Sequence, residues 1–278
     1  MKISIITTIS NEVNKIKFTM DSVMLQSYEN YEHIIIYNDI DEDALKFIST
    51  YSKNTILCYF HNSNLFQMLN KGINYSTGDI ILFLDDNSYL ANIDTLQLII
   101  NNFKMEDIDG LLSSIVYLDD KQLIKVNRYF NVSEFSREWF KLGGYIPYSS
   151  FILKNDIYNK YGMFDKNFKI SADYEFALRL TLKNKIKLEP IKQVLFYKFD
   201  NYNRKNLLYT NYDISDEYRL AWMKNNMNYS YMTKLLKYLR QYMQYIFVYI
   251  SPKWLSHIPP SEDKSSYLNK TSAKIMEI

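Results

Sequence analysis

Two carboxylates and an amide, Asp85-Asp86-Asn87, follow directly on five consecutive apolar residues, Ile80 to Leu84. An unbroken apolar run of this kind reads as a strand buried on both faces. Acidic groups delivered at its carboxyl end suit a cation or a polar ligand, because open α/β sheets bind their ligands there. The same residues, with Ser88, also bond their own backbone readily, so a turn that caps the next helix is the competing reading. A second acidic pair, Asp173 and Glu175, lies in Ser171-Ala-Asp-Tyr-Glu-Phe-Ala-Leu-Arg179. A helix dipole alone favours carboxylates in a first turn, and capping is what these residues suggest by themselves.

What must position these groups is an alternation of strands and helices. Lys2 to Thr8, rich in β-branched residues, predicts a buried first strand. Ser10 or Asn11 can cap a following helix in which Val13, Ile16, Met20, Val23 and Met24 recur at helical spacing. Glu32 to Tyr37 and Thr55 to Phe60 repeat the strand pattern, with helical stretches over 41–51 and 65–75. Ser76-Thr77-Gly78 closes the last of these and feeds the apolar run, and Ile93 to Phe103 then carries Leu96, Ile99, Ile100 and Phe103 on one helical face. This order predicts a parallel sheet wrapped by helices. From Gly110 a hairpin follows, Leu111–Leu118 and Leu123–Val126 around Asp119-Asp120-Lys121-Gln122, which makes the sheet mixed. Lys141 to Pro147 predicts a loop over the site, Tyr148 to Leu153 a strand, and Asn155 to Tyr161 a short helix ended by Gly162.

The chain divides at about residue 210 into this α/β unit, 1–210, and a helical extension, 211–278. Between Glu217 and Glu262 the extension has no acidic residue. Two stripes run along 231–250 in steps of three and four: Tyr231, Leu235, Tyr238, Tyr242, Tyr245, Tyr249, and Met232, Leu236, Leu239, Met243, Ile246, Ile250. Lys234, Lys237, Gln241 and Gln244 take the opposite face, which predicts an amphipathic helix. Its apolar side suits docking on the main domain, a membrane surface or self-association.

Composition narrows the field. A net charge of +2 makes no case for nucleic acid. The single cysteine, Cys58, excludes a disulfide framework and reads as a buried thiol, and with only three histidines besides, the sequence does not point to a structural zinc site. The longest unbroken apolar run, Tyr245 to Ile250, is far short of a membrane span, and no charged leader precedes a long apolar core. The expected location is the cytoplasm, including the inner face of the membrane.

Four stretches in order resemble the family 2 glycosyltransferases. Ile5-Ile-Thr-Thr-Ile-Ser-Asn-Glu12 is similar to the family's first strand and its ligand-facing turn, and Leu25-Gln-Ser-Tyr-Glu-Asn-Tyr-Glu-His-Ile-Ile-Ile36 to the segment through the second strand. Met68 to Asp79 runs into the strand that ends at Asp85-Asp86-Asn87, the position of the family's Asp-x-Asp motif. Tyr145-Ile-Pro-Tyr-Ser-Ser-Phe151, Tyr161-Gly-Met-Phe-Asp165 and Ser171 to Arg179 resemble the acceptor-side half. The resemblance covers roughly residues 1–200 and implies an α/β fold of GT-A type: a Rossmann-like mixed sheet flanked by helices, here with the C-terminal extension.

It also implies a chemistry. An inverting transferase needs a carboxylate to take the acceptor's proton and a cation to meet the departing diphosphate. Asp173 matches the family's base. Thr7, Glu12, Asp39, Asn70, Lys71, Asp85 and Asp86 match the nucleotide-sugar side, Asp86 and Asn87 the place of a Mn2+ or Mg2+ ion, and Tyr148 and Glu175 the acceptor side. The implied partners are a nucleotide-sugar donor, UDP-linked, and a glycan or lipid-linked acceptor. The implied setting is synthesis of a surface polysaccharide or glycolipid. The chain departs from the pattern at three places. Asn87 takes the second acidic position, unless the register slips by one and Asp86 fills it. Tyr37 stands where an aspartate reads the base, with Asp39 displaced, and Tyr148 stands where several relatives carry a histidine. A degenerate transferase fold kept as a binding or assembly module is the alternative. A nucleotidyltransferase fits less well, since 7–14 offers no glycine-rich basic phosphate loop.

Overall fold

A computed structural model describes residues 1–9, 15–38, 40, 42–51, 54–61, 63–105, 107–119, 126–130, 132, 136, 140, 144–200 and 211–239. Its first half alternates as the sequence predicts: β1 (Ile3–Ile9), α1 (Ile16–Met24), β2 (Tyr31–Tyr37), α2 (Glu42–Ser49), β3 (Thr55–Tyr59), α3 (Leu65–Tyr75) and β4 (Ile80–Phe83). β5 (Ser88–Leu90), α4 (Thr95–Met105), β6 (Gly110–Asp119) and β7 (Val126–Phe130) follow. After a 3-10 turn at Tyr148–Ser150 come β8 (Phe151–Lys154), α5 (Asn155–Tyr161), α6 (Ala172–Leu178), β9 (Leu188–Asp200) and α7 (Asn211–Lys224).

The strands form one mixed sheet in the order β3-β2-β1-β4-β8-β6-β9-β5, with β7 paired to β6. β1 to β4 run parallel, β8 lies antiparallel between β4 and β6, and β9 is parallel to β6 but antiparallel to β5. β4 is central because its side chains alternate between two apolar layers. Ile81 and Phe83 join Phe151, Tyr158, Phe164 and Phe176 on one face, while Ile80, Leu82 and Leu84 join Leu96, Ile99, Ile100 and Phe103 on the other. Gly78 lets β4 enter beside β1, since a Cβ there would stand 2.7 Å from the Ser4 nitrogen.

A buried carboxylate fixes that entry. Glu32 accepts from Lys2 Nζ and the Thr77 backbone at 2.7 Å, from Ser4 Oγ at 2.6 Å and from Thr77 Oγ1 at 2.9 Å. Burial pushes its pKa up, but these four hydrogen bonds prevail and hold it at about 2.

The structure corrects several expectations. Strand character begins only at Phe151, because Pro147 leads into a turn closed by Ser150 N on the Pro147 carbonyl at 2.9 Å. Cys58 is half-buried rather than enclosed, β3 being the outer strand of the sheet. The helix expected over 231–250 is present across 231–239, and the rest lies outside the described residues. Within 231–239 the apolar stripes do not dock. Tyr231 is 81% exposed and Met232 59%, with Leu235, Tyr238 and Leu239 also exposed. Thr233 and Lys237 turn inward instead, and the Lys237 ammonium lies 3.6 Å from the ring centroid of Tyr218. Burial, with Lys234 nearby, pushes the Lys237 pKa down to about 8. An aromatic ring can accept a cation face-on, which periodicity alone does not reveal.

Candidate active site

The Asp85 corner is built by three elements. β4 ends as Leu84 N bonds the Ile6 carbonyl at 3.0 Å, and the chain turns through Asp85-Asp86-Asn87 into β5. From α1, Thr19 Oγ1 lies 3.0 Å from the Asp86 carbonyl oxygen and 2.7 Å from that of Ser88. From β9, Phe199 N donates to the Asn87 carbonyl and Asn87 Nδ2 to the Phe199 carbonyl, both at 2.9 Å. This double staple brings Lys198, the residue opposite Ser88, to the turn. Its Nζ lies 2.6 Å from Asp85 Oδ2, and the hydroxyl of Tyr148 donates to Asp85 Oδ1. Asp85 is 8% exposed. Burial lowers the Lys198 pKa, but the Asp85 carboxylate outweighs it and raises the balance, with Tyr117 and Asp86 adding to the effect.

Asp173 stands at the head of α6, 5% exposed. Tyr145 donates its hydroxyl to Oδ2, and Tyr174 N donates to Oδ1 at 2.8 Å. Burial pushes its carboxyl up to about 6, while the Tyr145 hydroxyl, the backbone donors and the Lys198 ammonium pull the other way. The two corners adjoin, and Asp173 also raises the Tyr148 hydroxyl behind the larger effects of burial, Asp85 and Asp86. One stretch, 144–150, joins them. Its two tyrosines, three residues apart, each place a hydroxyl on one carboxylate.

Helix α7 holds α6 in place. Glu217 accepts from the backbone of Lys169 (2.8 Å), Ile170 (3.1 Å) and Ser171 (2.7 Å), the donors that lead into α6. Trp222 Nε1 donates to the Tyr174 hydroxyl at 2.9 Å, and Tyr218 stacks on Tyr174 with centroids 3.8 Å apart. Glu175, fully buried, pairs with Arg179 at 2.8 Å and accepts from Asn225 Nδ2 at 3.1 Å.

The structure therefore brings Asp85, Asp86, Tyr148 and Asp173 together. It places other sequence-predicted residues elsewhere. Glu175 is engaged by Arg179 and Asn225. Thr7 is buried with its Oγ1 2.9 Å from His33 Nε2, and burial pushes that imidazole down to about 3, so it stays neutral. Asn70 clamps the Phe164 backbone, donating at 2.8 Å and accepting at 3.0 Å. The Lys71 ammonium lies over the Tyr75 and Phe60 rings, 4.9 and 5.6 Å from their centroids. Glu12 and Asp39 lie outside the described residues. Sequence reasoning missed Lys198 and the role of Tyr145. A signal for the first exists, because Lys198 is the single cation inside Val194-Leu-Phe-Tyr-Lys-Phe199.

The donor set does not suit a divalent ion held by the protein at the Asp-x-Asp position. Asn87 presents Nδ2 to the Phe199 carbonyl, which fixes the amide's orientation, and its Oδ1 is buried without a hydrogen-bond partner, turned from solvent. Both oxygens of Asp85 are engaged, one of them by a cation. Among the described residues no group of three His, Cys, Asp or Glu side chains could hold a metal ion.

Comparison with known proteins bears on the family and the fold. Residues 4–169 match the profile described as "Glycosyl transferase family 2". An uncharacterised glycosyltransferase of Mycobacterium tuberculosis is 24% identical over 185 residues, 65% of this chain and 69% of the relative. One from Rickettsia typhi is 27% identical over 187 residues, and there the chain covers 56% of the relative's length. Among solved structures, a fragment of S. aureus TarS superposes with a TM-score of 0.62 at 17% identity, over 97% of this chain and 78% of the fragment. The same fragment solved with UDP-GlcNAc gives 0.61 at 15% identity, covering 88% and 73%. A mannosyltransferase from Pyrobaculum calidifontis, solved with GDP-Man and Mn2+, gives 0.57 at 11% identity, covering 100% and 81%. Of a longer TarS chain, 44% is covered. The mixed sheet and its flanking helices are the GT-A fold.

Proposed function

The chain belongs to glycosyl transferase family 2, and on that premise we propose that it transfers a sugar from a UDP-linked donor to a hydroxyl of a glycan or lipid-linked acceptor, with inversion at the anomeric carbon. The observation that carries this reading is the convergence of Asp85 and Asp173 from opposite sides of the 144–150 stretch. Asp85 receives the donor at the carboxyl end of β4. Asp173, titrating near 6, is mostly ionised at neutral pH yet basic enough to accept a proton.

In a single displacement the acceptor oxygen attacks the anomeric carbon, its proton passes to Asp173, and the bond from that carbon to the diphosphate breaks with its electron pair leaving on the phosphate oxygen. Tyr145 orients the Asp173 carboxylate, and α7 holds the helix that carries it. The UDP and UDP-GlcNAc complexes of TarS support a UDP-linked donor. No described helix is long and apolar enough to cross a membrane. The exposed apolar face of 231–239, in a stretch free of acidic residues, supports peripheral attachment to the cytoplasmic face, where lipid-linked acceptors of surface polysaccharides or glycolipids are presented.

A thermal-shift screen of nucleoside diphosphates and nucleotide sugars, on wild type and Asp85→Ala, tests the donor half. One diphosphate at 100 times its dissociation constant should add about 2.7 kcal/mol of stability, and Asp85→Ala should lose the shift. No shift with any nucleotide sinks the reading and favours the binding-module alternative.

A further inference from the structure

We propose that the Lys198 ammonium, not a divalent metal ion, is the cation that meets the diphosphate of the donor, so that transfer does not require added metal. The inference rests on the transferase reading above and deepens it at the same site.

Three observations converge. The Lys198 Nζ sits 2.6 Å from Asp85 Oδ2, in the corner between donor carboxylate and base, with about three-quarters of the side chain buried. The position is built into the sheet. Ser88 faces Lys198 across the β5–β9 ladder, and the paired bonds between Asn87 and Phe199 lock the two strands one residue away. Lastly, the residue that would complete a metal site is an amide committed to the β9 backbone, with its oxygen enclosed. The staple that removes Asn87 as a ligand is the one that delivers Lys198.

Beside one carboxylate a monovalent and a divalent cation repel each other and compete for the same oxygens. The lysine is the one covalently tethered there. When the donor enters, the ammonium shifts from Asp85 to the diphosphate oxygens. Asp85 then turns to the donor's hydroxyl groups. As the anomeric carbon–oxygen bond breaks, the negative charge gained by the leaving nucleoside diphosphate falls on oxygens already bonded to Lys198, while the acceptor's proton resides on Asp173. Charge balances without a further co-reactant. Lysine serves as a compact point charge on a flexible stem, able to follow the phosphate as it departs.

The experiment uses the full chain, stripped with EDTA, with UDP and GDP as binding probes and hydrolysis of the nucleotide sugar that binds as the activity. Wild type should bind one of the two diphosphates without metal and change less than about threefold in rate on adding Mn2+ or Mg2+. Lys198→Ala should bind that diphosphate at least 10-fold more weakly, and Mn2+ should rescue it, because the vacated corner leaves Asp85 and Asp86 to an ion. Lys198→Arg, which keeps the charge, should retain metal-free binding and serves as the folding control. Wild type that binds or turns over only with Mn2+ or Mg2+ overturns the proposal but leaves the transferase reading standing. Unaltered diphosphate affinity in a folded Lys198→Ala protein overturns it too. Failure of every nucleotide to bind wild type, with or without metal, removes both.

Discussion

Replacing Asp173 by Asn should make the protein more stable at neutral pH while stopping its chemistry. The carboxyl titrates near 6 in the fold against an ordinary 3.8, because it is taken out of water faster than its hydrogen bonds compensate. At about 1.4 kcal/mol per pH unit, holding it ionised costs the folded state about 3 kcal/mol. The sign follows from proton linkage. The native state keeps this proton longer than the unfolded chain, so wild-type stability falls as pH rises between 3.8 and about 6, and is level above that. An asparagine has nothing to ionise and still offers Oδ1 to the Tyr145 hydroxyl or to the Tyr174 backbone. The gain of Asp173→Asn over wild type should therefore be near zero at pH 4 and approach about 3 kcal/mol at pH 7.5, read from urea unfolding at both pH values. Sugar transfer should fall at least about 100-fold with diphosphate affinity unchanged, and the acid limb of the wild-type pH–rate profile should lie near 6. An Asn variant whose stability offset is the same at both pH values, or one that keeps its transfer rate, refutes the assignment of Asp173 as a buried base.

Removing the hydroxyl next to that carboxylate, by Tyr145→Phe, takes away a bond that favours the ionised form, so the acid limb should move above 6, and an unmoved limb would show that Tyr145 does not tune the base. Glu217→Ala leaves three backbone N–H groups ahead of α6 without their acceptor. A loss of about 1–3 kcal/mol in urea unfolding, with kcat reduced more than donor affinity, is expected, and equal losses in both would mean general unfolding instead. Leu235→Glu with Leu239→Glu adds charge to an exposed face and should leave the thermal midpoint within about 2 °C. Co-sedimentation with vesicles rich in anionic lipid should fall several-fold, and undiminished sedimentation excludes this face as the attachment surface.

The fold was legible where burial imposes a period. Ile80 to Leu84 is apolar throughout because both of its faces are covered, and helices α1, α3 and α4 show the spacing of the residues they bury. β9 was not legible. Pro190, Lys192 and Gln193 interrupt its pattern, and its pairing with β6 shifts register at Ser113 and Ser114, so no alternation survives along the strand. Asp85 and Asp173 could be found from motif positions, but Lys198 is 113 residues away from Asp85 and reaches it only through the β5–β9 ladder. Asn70 and Lys71 illustrate the reverse case. Their types suit phosphate, yet α3 turns the first toward the Phe164 backbone and the second toward aromatic rings. Polar residue type states what a side chain can bind, and only packing decides what it meets.

The stretch over 144–150 has a thermodynamic consequence beyond positioning. Its two hydroxyls rest on Asp85 and on Asp173, so on the proposed function the donor and acceptor halves share one short length of backbone. A donor that displaces Tyr148 from Asp85 loosens the segment that keeps Tyr145 on Asp173, and an acceptor that displaces Tyr145 does the same in return. Such reciprocity is heterotropic cooperativity between two substrates. On the proposed function, the first ligand bears the disruption and the second meets a segment already loosened.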